Sequence, residues 1–459
     1  MKGQPARANM SVFQEQLGQQ ERRAGISLAL IYAFRMFGLF LILPVFALHA
    51  ETLPETTPML TGLALGIYGF TQAILQIPFG MLSDRIGRKP VIAAGLVIFA
   101  LGSLLAASSD SIYGIIAGRA LQGAGAIASV LMALAADLSR EEHRTRMMAM
   151  IGMSIGVAFA ASMVLGPLVN EWVGVSGIFS GTAVLAILGI AILYLFVPNP
   201  LVSHFHRDAE VQTASLKSVL KNTDLLRLDM GIFTLHFVIM AVFLVIPLEL
   251  RDDAGIAASQ HWQIYLPIFV VSVILMVPFI ILAEKKDLMK PVFVGAIAGL
   301  IVAVLGLLSG HDLVTIVTFL VLFFVAFNLL EASLPSLVSK TAHADQKGTA
   351  MGVYSTSQFL GTFAGGALGG IAHDLWGING AYWLVLGILL AWFVIAASMK
   401  KPRNLSTFLM KVGNITEQQL LAVDGVIEAV IIREEGVAYL KVQKSILNEE
   451  KLSSYAADV

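Results

Sequence analysis

The sequence predicts an all-α polytopic membrane protein: twelve transmembrane helices in two six-helix halves, followed by a small α+β cytoplasmic domain. Three observations carry this. First, the 459 residues are 57% apolar and 13% charged, with a mean hydropathy of +0.80, where soluble domains run at about 25% charged. A soluble core stops growing near ~250–300 residues and cannot hide that much apolar surface. Second, the apolar residues come in unbroken runs of about 20, the length that crosses a bilayer as a helix. A transmembrane barrel would alternate apolar and polar residues instead. Third, Lys and Arg fall on one side of those runs, as cytoplasmic loops require.

Twelve runs are read, roughly 26–48, 60–81, 90–108, 111–136, 147–169, 176–197, 228–249, 261–283, 291–309, 312–336, 348–371 and 380–398. With residues 1–25 placed in the cytoplasm, the cytoplasmic segments up to Arg403 hold 22 Lys and Arg. The opposite loops hold one, Arg251. Both ends of the membrane part are therefore expected in the cytoplasm. The first 24 residues are polar, with no short apolar segment before a small-residue cleavage site. The first run is thus expected to remain as a membrane helix.

The runs divide as six and six, 26–197 and 228–399, at the polar linker 198–227. That linker contains His204, His206, Arg207, Asp208, Glu210, Lys217 and Lys221. A weak repeat supports the division: Lys89-Pro90-Val91 opens the third run and Lys290-Pro291-Val292 the ninth. Two similar halves point to a transporter with its site between them near the midplane. There is no cysteine, so disulfides, thiolate metal sites and a Cys nucleophile are excluded. The formal charge of −1 gives no pull toward nucleic acid. No Walker-type phosphate loop is present, leaving an ion gradient as the energy source.

The short loop between the second and third runs reads Gly80-Met-Leu-Ser-Asp84-Arg85-Ile-Gly87-Arg88-Lys89-Pro90. By itself it reads as a tight turn with a positive cytoplasmic anchor. The string resembles the signature loop of the major facilitator superfamily, and the resemblance covers the twelve runs. It implies that superfamily's fold, with transport by alternating access and no cofactor beyond a proton gradient. It further implies that Asp84 and Arg88 form a charge network locking an outward-facing state. Asp137 would be the partner of Arg88, and the start of the eleventh span near Gly348 would face Asp84. In the second half Glu284, Lys285, Lys286 and Asp287 replace the pattern, so the lock is expected on one side only.

The fourth run carries Arg119-Ala-Leu-Gln122-Gly123-Ala-Gly125-Ala126. It resembles the Arg-x-x-Gln-Gly motif that the superfamily associates with proton coupling. Arg119 is read as tuning a nearby acid or contacting substrate, since a charge inside a bilayer usually faces a cavity or a partner. Gly166-Pro167 in the fifth run matches half of the superfamily's antiporter motif.

Polar residues at helical spacing mark candidate cavity faces: Tyr68, Gln72 and Gln76 on the second run, Tyr354, Gln358 and Thr362 on the eleventh. Interhelical hydrogen bonding is the competing reading. Ionisable groups within the runs are Arg35, Arg119, His236 and Glu331, with Asp137 and Glu249 near ends. Glu331, one turn after Asn328, leads for proton binding, because burial disfavours the charged form and makes proton loading reversible. A structural ion pair with Arg35 or a Lys is the alternative. His236 is the second candidate, against a packing role. Gly361, Gly365 and Gly369 form a ladder read as helix packing.

Residues 404–459 are mixed and charged. A strand near 405–411, a helix near 415–422, strands near 426–433 and 436–443 and a helix near 447–456 give a ferredoxin-like βαββα unit with no final strand. It resembles heavy-metal-associated domains, but the loop Val412-Gly413-Asn414-Ile415-Thr416-Glu417 has no thiol for a soft metal. A regulatory or self-associating role, with docking on the cytoplasmic side as one version, and a passive tail are the readings left to it. The functional expectation is a proton-coupled antiporter exporting small amphipathic compounds. An importer of a small nutrient or a membrane sensor using the tail are the alternatives. An enzyme lacks any paired acids, His–acid cluster or metal spacing within one span or short loop.

Overall fold

The computed structural model describes residues 4–139, 141–199, 211, 213–286, 288–343, 345–399, 406–413, 415–433, 436–443 and 446–455. Part of the polar linker, including His204, His206, Arg207, Asp208 and Glu210, lies outside them, as do Asp287 and 400–405. The helices are α1 (Gln4–Phe40), α2 (Phe46–Ala50), α3 (Pro58–Ile86), α4 (Arg88–Ala107), α5 (Ile112–Ala124), α6 (Ala128–Asp137) and α7 (Glu141–Leu195). After the linker come α8 (Thr213–Val219), α9 (Thr223–Asp252), α10 (His261–Lys285), α11 (Met289–Ser309), α12 (Leu313–Thr341) and α13 (Lys347–Ala397).

Ten helical stretches are long and apolar enough to cross a membrane among the described residues. Two of them, within α7 and α13, run 50 and 51 residues. At ~1.5 Å per residue each would reach about 75 Å, against a hydrocarbon core of ~30 Å. Each contains one glycine in the left-handed region, Gly174 (φ 67°) and Gly377 (φ 68°). A side chain there would be strained, so these glycines turn the chain where the sequence predicts loops. In the opposite sense, the run read as one span over 111–136 is two helices, broken at Gly125–Ile127. The repeated Lys-Pro-Val falls in the first turn of both α4 and α11, where proline needs no helix hydrogen bond.

Burial follows position in the bundle. α9 is buried along 94% of its apolar window, held by α13, α12 and the first half. α10 is buried along 22% of its window and presents Val270, Ile274, Leu275, Val277 and Ile281 outward, a face that only lipid would cover. The ladder Gly361, Gly365, Gly369 packs on α9: a Cβ there would meet Phe233 O, Phe237 O and Ala241. The other edge of α13, at Gly366 and Gly370, meets Gly62, Gly66 and Pro58 O of α3. The two halves thus touch backbone to backbone along α3 and α13. At the end of the bundle that carries this contact, Glu51 also pairs with Arg251 across the halves.

The tail forms β1 (Ser406–Lys411), α14 (Glu417–Leu421), β2 (Val426–Ile432), β3 (Val437–Val442) and α15 (Glu449–Ser453). The sheet is antiparallel with order β1-β3-β2. Leu420, Val423, Ala438, Leu440, Val442 and Leu452 form its own core. A capping box at Thr416 and Gln419 starts α14. The unit docks on the end of α12: Lys441 Nζ donates to Lys340 O at 2.7 Å, and His343 Nδ1 lies 3.1 Å from Glu428 Oε1. Burial pushes the Lys441 ammonium below its ordinary 10.5, with Lys347 adding and Glu428 opposing. The folded form therefore sheds this proton before the unfolded chain does, and stability rises as pH climbs from that lowered value toward 10.5. Lys441→Ala should weaken docking by about 1.5–3 kcal/mol, the range for a charged hydrogen bond. Faster amide hydrogen exchange at 338–343 would register it, and unchanged exchange there would refute the docking role.

Candidate functional site

Arg88, at the first residue of α4, is buried and gathers the signature loop. Its Nη1 donates to Asp84 Oδ1 and, at 2.8 Å, to Ser83 Oγ. Its Nε donates to Asp137 Oδ2 at 3.1 Å. Asp137 ends α6 with no side-chain exposure, whereas Asp84 keeps 41%. Gly87 (φ 97°) makes the turn between α3 and α4. Gly80 faces Ser129, whose hydroxyl donates to Gln76 O at 2.7 Å. Arg85 is exposed. Lys89 Nζ donates to Val197 O at 2.6 Å, tying α4 to the end of α7. Sequence reading missed Ser83, which carries no signal beyond its place before Asp84. No hydrogen bond or ion pair joins Asp84 to the head of α13 among the described residues. The cluster lies wholly within the first half and is formed while the halves are joined along α3 and α13.

A second polar layer lies deeper in the same half. Arg119 Nη1 donates to Gln122 Oε1 at 2.9 Å, while its Nε and Nη2 donate to Ala64 O and Leu65 O, each at 3.3 Å. Gln122 Nε2 donates to Ser103 Oγ at 2.7 Å. Arg35 Nη2 donates to Gln72 Oε1 and, at 3.3 Å, to Gly125 O. That carbonyl is available because the helix breaks there. Both guanidiniums sit over the Tyr68 ring, at 5.1 Å and 5.7 Å, a favourable arrangement for desolvated cations. Neither arginine has a carboxylate within ion-pair distance among the described residues. Gln76 Nε2 reaches across the halves to Thr356 Oγ1 at 2.6 Å. The contacts of Gln72 and Gln76 are interhelical in this conformation.

The second half holds the acids. Gln358 Nε2 lies 2.8 Å from His236 Nε2. An amide nitrogen only donates, so as assigned the imidazole accepts at Nε2 and carries its proton on Nδ1. Nδ1 lies 3.9 Å from Glu331 Oε2. Glu331 is half-buried on α12, and the pair with Arg35 is not formed. Asn328, one turn earlier, donates to Ser272 Oγ of α10 at 3.2 Å. Tyr354 is buried with its hydroxyl unpaired. The structure thus brings His236, Glu331 and Gln358 from α9, α12 and α13 together. Asp229, on α9 within a run read as starting at 228, is a buried acid that sequence reading overlooked at a span boundary.

Glu249 closes the opposite end of α9. It is fully buried, accepts from Tyr382 and lies 3.1 Å from His311 Nδ1. Donor atoms of Glu249, Asp253 and His311 lie within 4.8 Å of one another, close enough to share a cation. They come from two distant segments, which spacing in the sequence does not reveal.

A helical membrane protein with buried polar groups in each of two joined halves has the build of a secondary transporter. The chain belongs to the Major Facilitator Superfamily, whose profile it matches over residues 28–366 and 290–413. Members of that family are transporters rather than enzymes and need no cofactor. The chain is 45% identical over 437 residues to the inner membrane transport protein YajR of Escherichia coli, covering 93% of this chain and 96% of that one. It is 22% identical to the multidrug resistance protein MdtH of Baumannia cicadellinicola, over 74% of this chain and 82% of that one. Among solved structures it superposes on a bacterial homolog of the human lysosomal transporter Spinster, in an inward-facing and occupied conformation. The TM-score is 0.68 at 14% identity, covering 82% of this chain and 96% of that one.

Proposed function

We propose that this transporter is a proton-coupled antiporter of the inner membrane, exporting small amphipathic compounds by alternating access. The observation that carries the reading is Glu331 beside His236 in the second half, with no other charged partner for the carboxylate among the described residues. An ionisable group inside a bilayer is a default candidate for proton transfer. Drug efflux is supported by the relation to MdtH, and the inner membrane by the relation to YajR.

On this reading the left-handed Gly174 and Gly377 divide α7 and α13, so the chain crosses twelve times with both termini in the cytoplasm. The halves 26–197 and 228–399 rock about a midplane site, and the contact of α3 with α13 closes the periplasmic end. The Asp84–Arg88–Asp137 cluster shapes the cytoplasmic end of the first half and meets α13 in the other state. Residues 404–459 are a ferredoxin-like unit lacking its outer strand.

The test uses inverted membrane vesicles with a pH-gradient dye and a panel of lipophilic cations and uncharged drugs. Wild type should collapse the gradient on substrate addition, and Glu331→Gln should lose at least tenfold of that rate, about 1.4 kcal/mol in barrier. Collapse that survives in the variant refutes Glu331 as the carrier. A sensor reading is favoured by one observation, the docking of the tail on α12 through Lys441 and His343. Deleting 404–459 separates the two, because an antiporter keeps its exchange and a sensor loses its output.

A further inference from the structure

Asp229 is a buried carboxylate that the coupling proposed above does not use. It is 4% exposed, six residues into α9. Neither oxygen has a hydrogen-bond partner, and no cation pairs with it among the described residues. An ionised carboxylate so placed loses its hydration for nothing in return, a cost of several kcal/mol. Holding a proton removes that cost, and a proton, unlike any other ligand, needs no cavity.

The groups around it decide what the proton can do. Tyr354 on α13 is buried, and its hydroxyl has no hydrogen-bond partner. His236 lies 3.9 Å from Glu331. Of the cations on these elements, Arg227 of α9 pairs with Asp224 at 3.1 Å, and Lys347 stands at the head of α13 near Lys441 of the tail. α3 brings Asp84, which Arg88 holds, and α2 brings His49 at the opposite end of α9. At ~1.5 Å per residue, Asp229 lies about 9 Å from the first residue of α9. Glu331, ten residues before the last residue of α12, lies about 15 Å from the same end of the bundle.

We propose that Asp229 is a second proton-binding carboxylate, set between the α9–α13 end of the bundle and Glu331. This rests on Glu331 being the proton carrier. With the cytoplasm at this end, Asp229 is the exit site for protons delivered to Glu331.

The test needs no transported compound. Purified protein in liposomes is titrated while its infrared difference spectrum is recorded in the carboxylic acid C=O stretch. Wild type should show buried carboxyl bands that appear and vanish with pH, the buried Glu249 contributing besides Asp229 and Glu331. Asp229→Asn should lose one of them and move the titration midpoint of the Glu331 band. Glu331→Gln should lose a different one. An Asp229→Asn spectrum identical to wild type overturns the proposal, because Asp229 then never changes protonation. Should that variant fail to fold, Asp229→Glu keeps a carboxyl in place and should shift the band, and an unshifted band overturns the proposal equally. A Glu331→Gln protein that loses no band overturns the reading of Glu331 instead, leaving the Asp229 band to be judged by itself.

Discussion

Replacing Arg88 with alanine should destabilise the protein by about 3–5 kcal/mol, the cost of removing one partner from a buried ion pair. The reason is asymmetric burial within the cluster. Asp137 has no side-chain exposure and receives Nε of Arg88 at 3.1 Å, so its carboxylate cannot recover hydration when the guanidinium goes. Ser83 loses its donor at the same moment. Asp84 is different: with 41% exposure, water can replace Arg88 around it. Asp84→Asn should therefore change stability by only about 0–1 kcal/mol, as for exposed pairs. Arg88→Lys should fall between, because a lysine keeps the charge and loses the fork that reaches two acids and a hydroxyl at once. Thermal unfolding in detergent ranks the three variants. Equal losses for Arg88→Ala and Asp84→Asn would contradict the burial argument. Asp84→Asn also isolates the conformational role: unchanged inward–outward balance in that variant would remove Asp84 from the lock.

Gly66→Leu should shift the protein toward a state open at the α3–α13 contact. A Cβ at this position would meet Phe363 O at 2.7 Å and Phe363 Cα at 3.1 Å. Both are backbone atoms of the other half, and they yield only if α3 and α13 separate. Overpacking of this kind costs about 1–3 kcal/mol, and the closed state alone bears it. That moves the ratio of closed to open by about 5–150-fold. The chain has no cysteine, so one introduced at the buried Thr362 reports without background. Its labelling by a membrane-impermeant maleimide should be slow in the parent and rise by that factor with Gly66→Leu. Unchanged labelling would mean that α3 and α13 do not separate there. Gly361→Leu is the contrast. Its Cβ would meet Phe233 O and Phe233 Cα within the same half. The expected result is lower thermal stability with no gain in labelling.

The signature loop and the acids were legible in different degrees. Asp84, Arg88 and Asp137 were placed together because a short loop leaves few geometries and the motif names the residues. Ser83 was not, because a serine one residue from a charged motif has no signal of its own. Glu331 and His236 stood out as ionisable groups within apolar runs. Their approach to each other was hidden, since they lie 95 residues apart on separate helices. Asp229 is absent from the ionisable groups picked out in the sequence: it sits second in a run read as starting at 228, whereas the helix begins at Thr223 and buries it. Arg119 is read from the sequence as tuning a nearby acid or contacting substrate. In this conformation its donors go to Gln122 and to carbonyls of α3, a choice set by where α5 crosses α3.

The sequence by itself determined the class of protein. Apolar runs near 20 residues must be spanning helices, because no soluble core could hold them and a helix satisfies its own backbone in lipid. It also determined the cysteine-free chemistry, the polar linker, and the strands and helices of the tail, whose patterning is local. Only the tertiary structure decided which charges are compensated. Hydrogen-bond partners and burial come from helices distant in the chain, and electrostatic energy depends on distance and dielectric rather than on sequence spacing. Asp84 and Asp137 are the same residue type on one arginine, yet one meets water and the other does not. Gly62 and Gly361 read alike as small residues, yet one joins the halves and the other holds a single half together.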